Sequence, residues 1–415
     1  MSRFLARCVP RLAFMVYLVS GVLCVHELWR TDFQFVLHDA DWVMFQDTAR
    51  LLWSGRLNEI YPGITKDSPF FYPPYLLPWI APLAGLSRAG GYAACVLSMS
   101  AAMASALWAL RRTLPAEGPS YTDGIHVALS TVSWGAMILL GHLSAIYLLA
   151  AAGGLWLWSR DRHTPAGAVL SLLMFKPQLG LVFPLIFIAR RQWSLLAGWV
   201  SGCCLLLLAT WPLGTDIWVH YGQTSHLVAS LVTTKIPMEK QQTIYAFWRT
   251  LLDTPQTPQV VALWLVSILP LVILAVIVWL KTPLDRRWLP RLFGVTLLTL
   301  SSCNIYLFVY DNILLLLPGL VWYMDRGSYR SGRCRAMIGG AMAIAYLWQH
   351  LNLWGLNGGV TGVGPAVGVW LLCECWDLLG GTCFGRERTR GADNSPLSPS
   401  PGPPRAYTDL SLVPK

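Results

Sequence analysis

Apolar runs of roughly twenty residues recur along this chain, each long enough to cross a hydrocarbon core of about 30 Å. Backbone groups inside lipid find no water, so a crossing run must bond internally as a helix. The first run covers 11–29, and later ones begin near Phe70, Gly90, Gly124, Leu143, Pro165, Trp193, Gln259, Leu292, Asn312, Ala336 and Gly362. The pattern predicts an all-α polytopic membrane protein with about ten to twelve transmembrane helices. Composition agrees: 55% of the 415 residues are hydrophobic and 13% charged.

The net charge of +10 does not point to nucleic acid, because the basic residues are scattered through short connectors between the apolar runs. Lys and Arg are retained on the cytoplasmic side. Arg3, Arg7 and Arg11 therefore put the N-terminus inside, with no cleavage site after the first run, so that it reads as a signal anchor. The basic connectors ARRQW (189–193), KTPLDRRW (281–288) and DRGSYRSGRCR (325–335) are likewise expected inside. The loop after Trp29 and the long segment 214–258 then face outward. Arg111, Arg112, Arg160 and Arg162 also belong inside, and this is impossible if every run between Asp41 and Arg162 crosses. The run near Phe70 or the one near Pro165 is therefore expected to be re-entrant or split. LLMFKPQLGLVFP, broken at Lys176-Pro177, is a good candidate, since membrane-depth breaks are tolerated where they line a polar cavity. Residues 1–384 form the expected membrane domain. The Pro-, Ser- and Arg-rich stretch 385–415 is expected to be a disordered cytoplasmic tail.

Ten cysteines lie mostly in apolar runs, without CxxC spacing or clustered His, so they are expected to pack as small hydrophobes. No metal or cofactor is implied.

The stretch HDADWVMFQDTARLLWSG (38–55) places Asp39 and Asp41 ahead of an amphipathic helix. Trp42, Phe45, Ala49, Leu52 and Trp53 share one face, Gln46, Asp47, Arg50 and Ser54 the other, and Gly55 marks the stop. Such a helix is expected to lie in the interface with its aromatic residues among the headgroups. Asp41 has two readings: an N-cap for the helix, or a reactive carboxylate at the bilayer surface.

The run DWVMFQDTARLLWSGRLNEIY, then FFYPPYLLPWIAPLAGL, resembles the N-terminal signature of the family 87 glycosyltransferases, the polyprenyl-phosphate-mannose-dependent mannosyltransferases and their relatives. The likeness continues in order through GHLSAIYLL (141–149), AGAVLSLLMFKPQLGLVFPLIFIARRQW (166–193), KQQTIYAFWRTLL (240–252) and YLFVYDNILLLLPG (306–319). The resemblance implies a GT-C fold in the cell inner (plasma) membrane and a polyprenyl-phosphate sugar donor. It also implies a lipid or glycan acceptor and an extracytoplasmic site. A carboxylate of the first outer loop would be the catalytic base; Asp41 falls on that position, with Asp39 in reserve. A phosphate leaving group needs no general acid, so one carboxylate suffices. Displacement at a beta-linked donor would give an alpha product.

The lipid phosphate calls for donors at membrane depth. Lys176 is the sharpest candidate, because a Lys in an apolar run beside a Pro break is expensive and usually functional; the alternative is snorkelling to the surface. Gln178 follows it in the same break. His142 stands where the family shows Gln after Gly. Lys240, Gln241 and Arg249 are further binding candidates in the outer segment, with a solvated loop the alternative. Asp311 either serves the substrate or pairs with a base to hold helices together. Tyr72, Pro73 and Pro74 are read as setting a helix angle, while Trp42 or Tyr75 could stack on sugar. Asp39-Ala-Asp41 matches a metal-binding DxD only formally, since a lipid-phosphate donor needs no divalent ion. The competing reading from another class is a transporter or flippase of a lipid-linked saccharide, in which the same break and acid bind without chemistry. A relative that only binds lipid is a third.

Overall fold

The computed structural model describes residues 15, 40–61, 70–114, 131–234, 241–254, 257–353 and 359–380. The expected first span, the run near Gly124, Asp39, Lys240 and the tail lie outside the described residues. Every described residue belongs to one unit, Met1–Cys383, and all regular elements there are helices, joined by one isolated β-bridge between Gln241 and Phe308.

Helix α1, Asp41–Trp53, ends as its sequence requires: Ser54 N–H bonds to the Arg50 carbonyl and Gly55 turns out at φ 71°. Its aromatic face is divided, with Trp53 at the far end exposed. Trp42, Phe45 and Ala49 are fully buried in protein, and so is Gln46. The Gln46 amide nitrogen lies 2.9–3.2 Å from the carbonyls of Leu83, Leu86 and Ser87, while its oxygen accepts from Arg88 at 3.0 Å. A polar residue assigned to the solvent face is therefore the tether that binds α1 to the following segment.

That segment forms no single helix long enough to span. Prolines 73, 74, 78 and 82 each remove a backbone donor, and the run collapses into three short pieces, Pro74–Leu76, Leu77–Ile80 and Ala81–Gly85. They lie along α1: Trp53 donates to the Ala81 carbonyl at 2.9 Å, and Tyr61 to that of Tyr72 at 2.7 Å.

Helix α2, Arg88–Thr113, starts beside α1, where Arg88 pairs with Asp47 at 2.7 Å. With 26 residues it reaches about 39 Å away. Helix α3, Val132–Leu140, ends on Gly141 at φ 63°, where an added Cβ would lie 2.5 Å from the Trp42 Cβ. Helix α4, Ser144–Trp158, then runs parallel to α2, bringing Trp156 to 5.2 Å from Trp108 near their far ends.

The run that follows is a hairpin. Helix α5, His163–Leu170, continues through a 3-10 turn, Ser171–Phe175, to Lys176; a single helical turn, Pro177–Gly180, leads into α6, Val182–Ala189. Just before α5, Asp161 accepts from Arg286 at 2.8 Å, and just after α6, Arg190 donates to the carbonyls of Trp279 and Leu280 at 2.8 and 2.6 Å. Both ends of the hairpin thus meet the same end of the helix Pro258–Lys281, and Lys176 lies at the turn. The break at Lys176-Pro177 is a reversal inside the bundle.

Helix α7, Trp193–Leu208, packs on α5 through bare backbone: a Cβ on Gly198 would fall 2.0 Å from the Thr164 carbonyl oxygen. The outer-assigned segment is not mere loop, since it holds α8, Asp216–Thr234, and α9, Ile244–Leu251. Helix α10, Pro258–Lys281, is followed by α11, Leu289–Cys303, a 3-10 stretch Val309–Leu315, α12, Leu316–Met324, α13, Gly332–Leu353, and α14, Val363–Leu378. Among the described residues three helical stretches are long and apolar enough to cross a membrane, α2, α7 with its extension to Leu213, and α10, with five shorter apolar ones beside them. Proline and glycine breaks divide several of the runs that hydropathy reads as continuous.

Away from α1, Arg291 of α11 is completely buried between two acids of α14, Glu374 at 2.5 Å and Asp377 at 2.9 Å. Asp377 also accepts from the backbone of Arg330 and Ser331 at 3.2 and 2.9 Å, clamping the connector before α13. Cys334 is disulfide-bonded. This corrects the expectation that the cysteines only pack, because closeness of two sulfurs in space cannot be read from CxxC spacing.

Candidate functional site

Six segments converge near α1: its first turn, the 70–75 stretch, the turn between α3 and α4, the tip of the α5–α6 hairpin, residues 241–243 and residues 305–312. Asp41 is the first residue of α1 and is half-buried. It does not cap the helix; Ala40 holds that position, with no side-chain bond. The Tyr310 hydroxyl engages the Asp41 carboxylate, and the Tyr310 ring stacks on His142 with centroids 3.7 Å apart.

From His142 a directed chain of hydrogen bonds runs inward. Tyr72 Oη lies 2.5 Å from His142 Nε2, and His142 Nδ1 lies 2.8 Å from Ser144 Oγ, which donates to Asp311 Oδ1 at 2.8 Å. The Ser144 proton is spent on Asp311, so its oxygen accepts from Nδ1–H. Nε2 is then the acceptor for the Tyr72 hydroxyl, which fixes the imidazole as its Nδ1–H tautomer.

Asp311 is the hub. Lys176 Nζ is 2.6 and 2.7 Å from its two oxygens, and the Phe308 N–H donates to it at 3.2 Å. The ammonium also faces the rings of Tyr147 and Tyr310 at 5.6 and 5.3 Å. Lys176 therefore neither snorkels nor stands as an uncompensated cation: its charge is matched by Asp311 in a site where both are buried. Asp311 does pair with a base, and that pair lies at the centre of the cluster. The hairpin tip is held from the other side by Tyr75, whose hydroxyl donates to the Met174 carbonyl and whose ring lies 5.9 Å from Phe175. These are protein contacts rather than a sugar platform.

Gln178 reaches Tyr306. Gln241 is buried and bridges to Phe308 through backbone, while its neighbour Gln242 accepts from Asn312 at 2.9 Å. Arg249 is buried in α9 beside Tyr245 rather than in a solvated loop, eight residues beyond that bridge. So the structure gathers Asp41, His142, Lys176 and Asp311 into one network, puts Gln178 and Gln241 on its border, and carries Arg249 on α9. Tyr72, Ser144 and Tyr310 are members that sequence reasoning passed over. Each is polar and lies within a quoted motif, and Tyr72 does more than set a helix angle.

The arrangement separates two carboxylates. Asp311 is fully enclosed and committed to Lys176, Ser144 and the Phe308 N–H. Asp41 is half-buried at the margin, where the Tyr310 hydroxyl meets it. Among the described residues no group of His, Cys, Asp and Glu is arranged to hold a metal.

An all-helical membrane protein with a polar, acid-bearing cluster held by a broken helical hairpin is the class that fold and site define. The family model described as Glycosyltransferase family 87 matches residues 70–309. The chain belongs to glycosyltransferase family 87, and it is a membrane glycosyltransferase. No curated protein and no solved structure matches it. The matched region contains Tyr72, His142, Lys176, Gln178, Gln241 and Arg249, whereas Asp41 precedes it.

Proposed function

We infer that this glycosyltransferase moves a hexose, with mannose the first candidate, from a polyprenyl-phosphate donor to a lipid or glycan acceptor, using Asp41 as general base. The observation that carries this reading is the half-buried Asp41 carboxylate at the edge of the network containing Lys176, a carboxylate and a membrane-depth ammonium joined through Tyr310. The acceptor hydroxyl oxygen forms the new bond to the anomeric carbon as its proton passes to Asp41. The bond from that carbon to the phosphate oxygen breaks, and polyprenyl phosphate leaves with the electron pair. One displacement inverts a beta donor to an alpha product.

Lys176 has three N–H donors, of which Asp311 takes two. In this reading the third meets the donor phosphate, helped by Gln178, while His142 and Asp311 hold Tyr310 and Lys176 in place. Gln241 shapes the wall, and Arg249 has a structural role. Asp39 and Lys240 stay in reserve as further polar groups beside Asp41 and Gln241. In this reading α1 lies on the extracytoplasmic side of the inner membrane, which the distribution of basic connectors supports.

The test is Asp41→Asn in purified protein given polyprenyl-phosphate hexoses and membrane lipid acceptors. Asn keeps the size, can still accept from Tyr310, and disturbs no cap, because Ala40 holds that position. Donor binding should persist while the rate falls by about two to four orders of magnitude. Unchanged turnover in that variant would sink the base assignment. Lipid-linked saccharide crossing the bilayer with no transfer by the parent protein would favour a transporter instead.

A further inference from the structure

At the end of α2 and α4 remote from α1 lies a cavity of about 580 Å³, lined by Arg112, Thr113, Ser159, Arg160, Arg162 and Arg286. Three connectors build it: the last turn of α2, the α4–α5 turn and the α10–α11 link. The α4–α5 turn closes through Asp161 at φ 60°, and both its neighbours, Arg160 and Arg162, line the cavity. Asp161 pairs with Arg286 at 2.8 Å. Among the described residues Arg112, Arg160 and Arg162 have no ion-pair partner, so three guanidiniums meet in one concavity without a matching acid.

Two of them are oriented by indoles. Arg112 lies 5.7 Å over Trp108 and Arg160 5.4 Å over Trp156, and those two rings are themselves in contact, one helical turn further into the bundle. Tryptophan with arginine just beyond it is the arrangement of a membrane interface, with the ring at headgroup level and the charge in the water layer. Convergent guanidiniums in that layer match the geometry of phosphate, which Arg grips through paired N–H groups. A soluble phosphate would gain nothing from the exposed Trp108 face, whereas a phospholipid would place its phosphate among the arginines and its glycerol and upper acyl carbons along the indoles.

We propose that this cavity is a binding site for the phosphate headgroup of an anionic phospholipid of the cytoplasmic leaflet, separate from the transferase site. The leaflet rests on the same topology as the proposed function. Occupied, the lipid would tie the α4–α5 turn, and hence the base of the hairpin carrying Lys176, to α2 and the α10–α11 link.

The test uses the full chain in detergent, with native mass spectrometry counting bound lipid, and compares phosphatidylglycerol with zwitterionic phosphatidylcholine and with glycerol phosphate as competitor. Phosphatidylglycerol should bind, phosphatidylcholine should not, and glycerol phosphate should fail to displace the lipid. Arg160→Gln/Arg162→Gln should weaken phosphatidylglycerol binding by about twenty-five-fold, at about fivefold per arginine. Asp161→Asn, which removes the competing carboxylate, should bind at least as tightly as the parent. Equal binding of both lipids, or parent-like binding by the double arginine variant with an unchanged melting midpoint, would overturn the proposal. So would efficient displacement by glycerol phosphate, which would assign the cavity to a soluble anion. Asp41→Asn should bind the lipid as the parent does, so failure of the catalytic reading and failure of this one are read in different assays.

Discussion

Replacing Lys176 by Met, alone and together with Asp311→Asn, tests whether the buried pair organises the site. Asp311 receives two bonds from Lys176 at 2.6 and 2.7 Å, one from Ser144 at 2.8 Å and one from the Phe308 N–H at 3.2 Å. Lys176→Met removes the only charged donor and leaves a buried carboxylate with two neutral ones. Such one-sided breaking of a buried pair costs about 3–5 kcal/mol, a shift in the unfolding equilibrium of roughly a hundredfold to a few thousandfold. Asp311→Asn strands the ammonium instead, and a cost of the same order follows. In the double variant no charge is left, the introduced asparagine can accept from the Phe308 N–H through its one oxygen while its amide donates to Ser144 Oγ, and the Met thioether can fill the space between the Tyr147 and Tyr310 rings. The double should therefore be more stable than the sum of the singles by about 2–3 kcal/mol. Reversible unfolding in mixed micelles on SDS titration, followed by tryptophan fluorescence, measures each corner of the cycle. The reasoning is refuted if the two costs add within about 0.5 kcal/mol. The same proteins separate structure from binding: if Lys176 also contacts the donor phosphate, the double variant should bind donor about ten- to a hundredfold more weakly than Asp311→Asn alone. Equal affinities would make Lys176 a positioning residue only.

Other expectations concern topology and packing. Cysteines placed at exposed Asn58 and Gln259 should react with an impermeant thiol reagent on intact cells, and one at Arg162 only after permeabilisation; the reverse pattern would invert the molecule. Arg291→Met leaves Glu374 and Asp377 buried without their cation and should destabilise the fold by about 3–5 kcal/mol in the same SDS titration, a loss that an effect below about 1 kcal/mol would contradict. Gly198→Ala puts a methyl 2.0 Å from the Thr164 carbonyl oxygen, so α5 and α7 must part. Its cost should be about 1–3 kcal/mol, whereas Gly222→Ala, where an added Cβ meets nothing, should be near neutral.

Several features were legible before any coordinates. Apolar run length and composition establish a helical membrane protein, since lipid offers the backbone no other satisfied state. The conflict among Arg111, Arg112, Arg160 and Arg162 demands a non-crossing run upstream of them, where the Phe70 run is broken, and Lys176-Pro177 marks a second break. Asp41, Lys176 and Asp311 are conspicuous because charge in or beside an apolar run is costly. These are local properties, carried by a residue and its near neighbours.

What only the tertiary structure decided is which groups meet. Lys176 and Asp311 are 135 residues apart, and Ser144 and Asp311 167 apart; nothing in either neighbourhood names its partner. Periodicity put Gln46 on the polar face of α1, yet the folded chain laid the proline-broken 70–87 segment against that face and made Gln46 its tether. The Phe70 run met the length criterion for a span, but hydropathy counts apolar residues without weighing the four prolines that keep its helical ladder from forming. The same limit applies to Tyr72, Ser144 and Tyr310, ordinary polar residues in sequence that become a directed relay only when the turn at Gly141 brings His142 among them. Burial cost is written in composition and can be read along the chain, whereas its compensation is a matter of pairing across the fold.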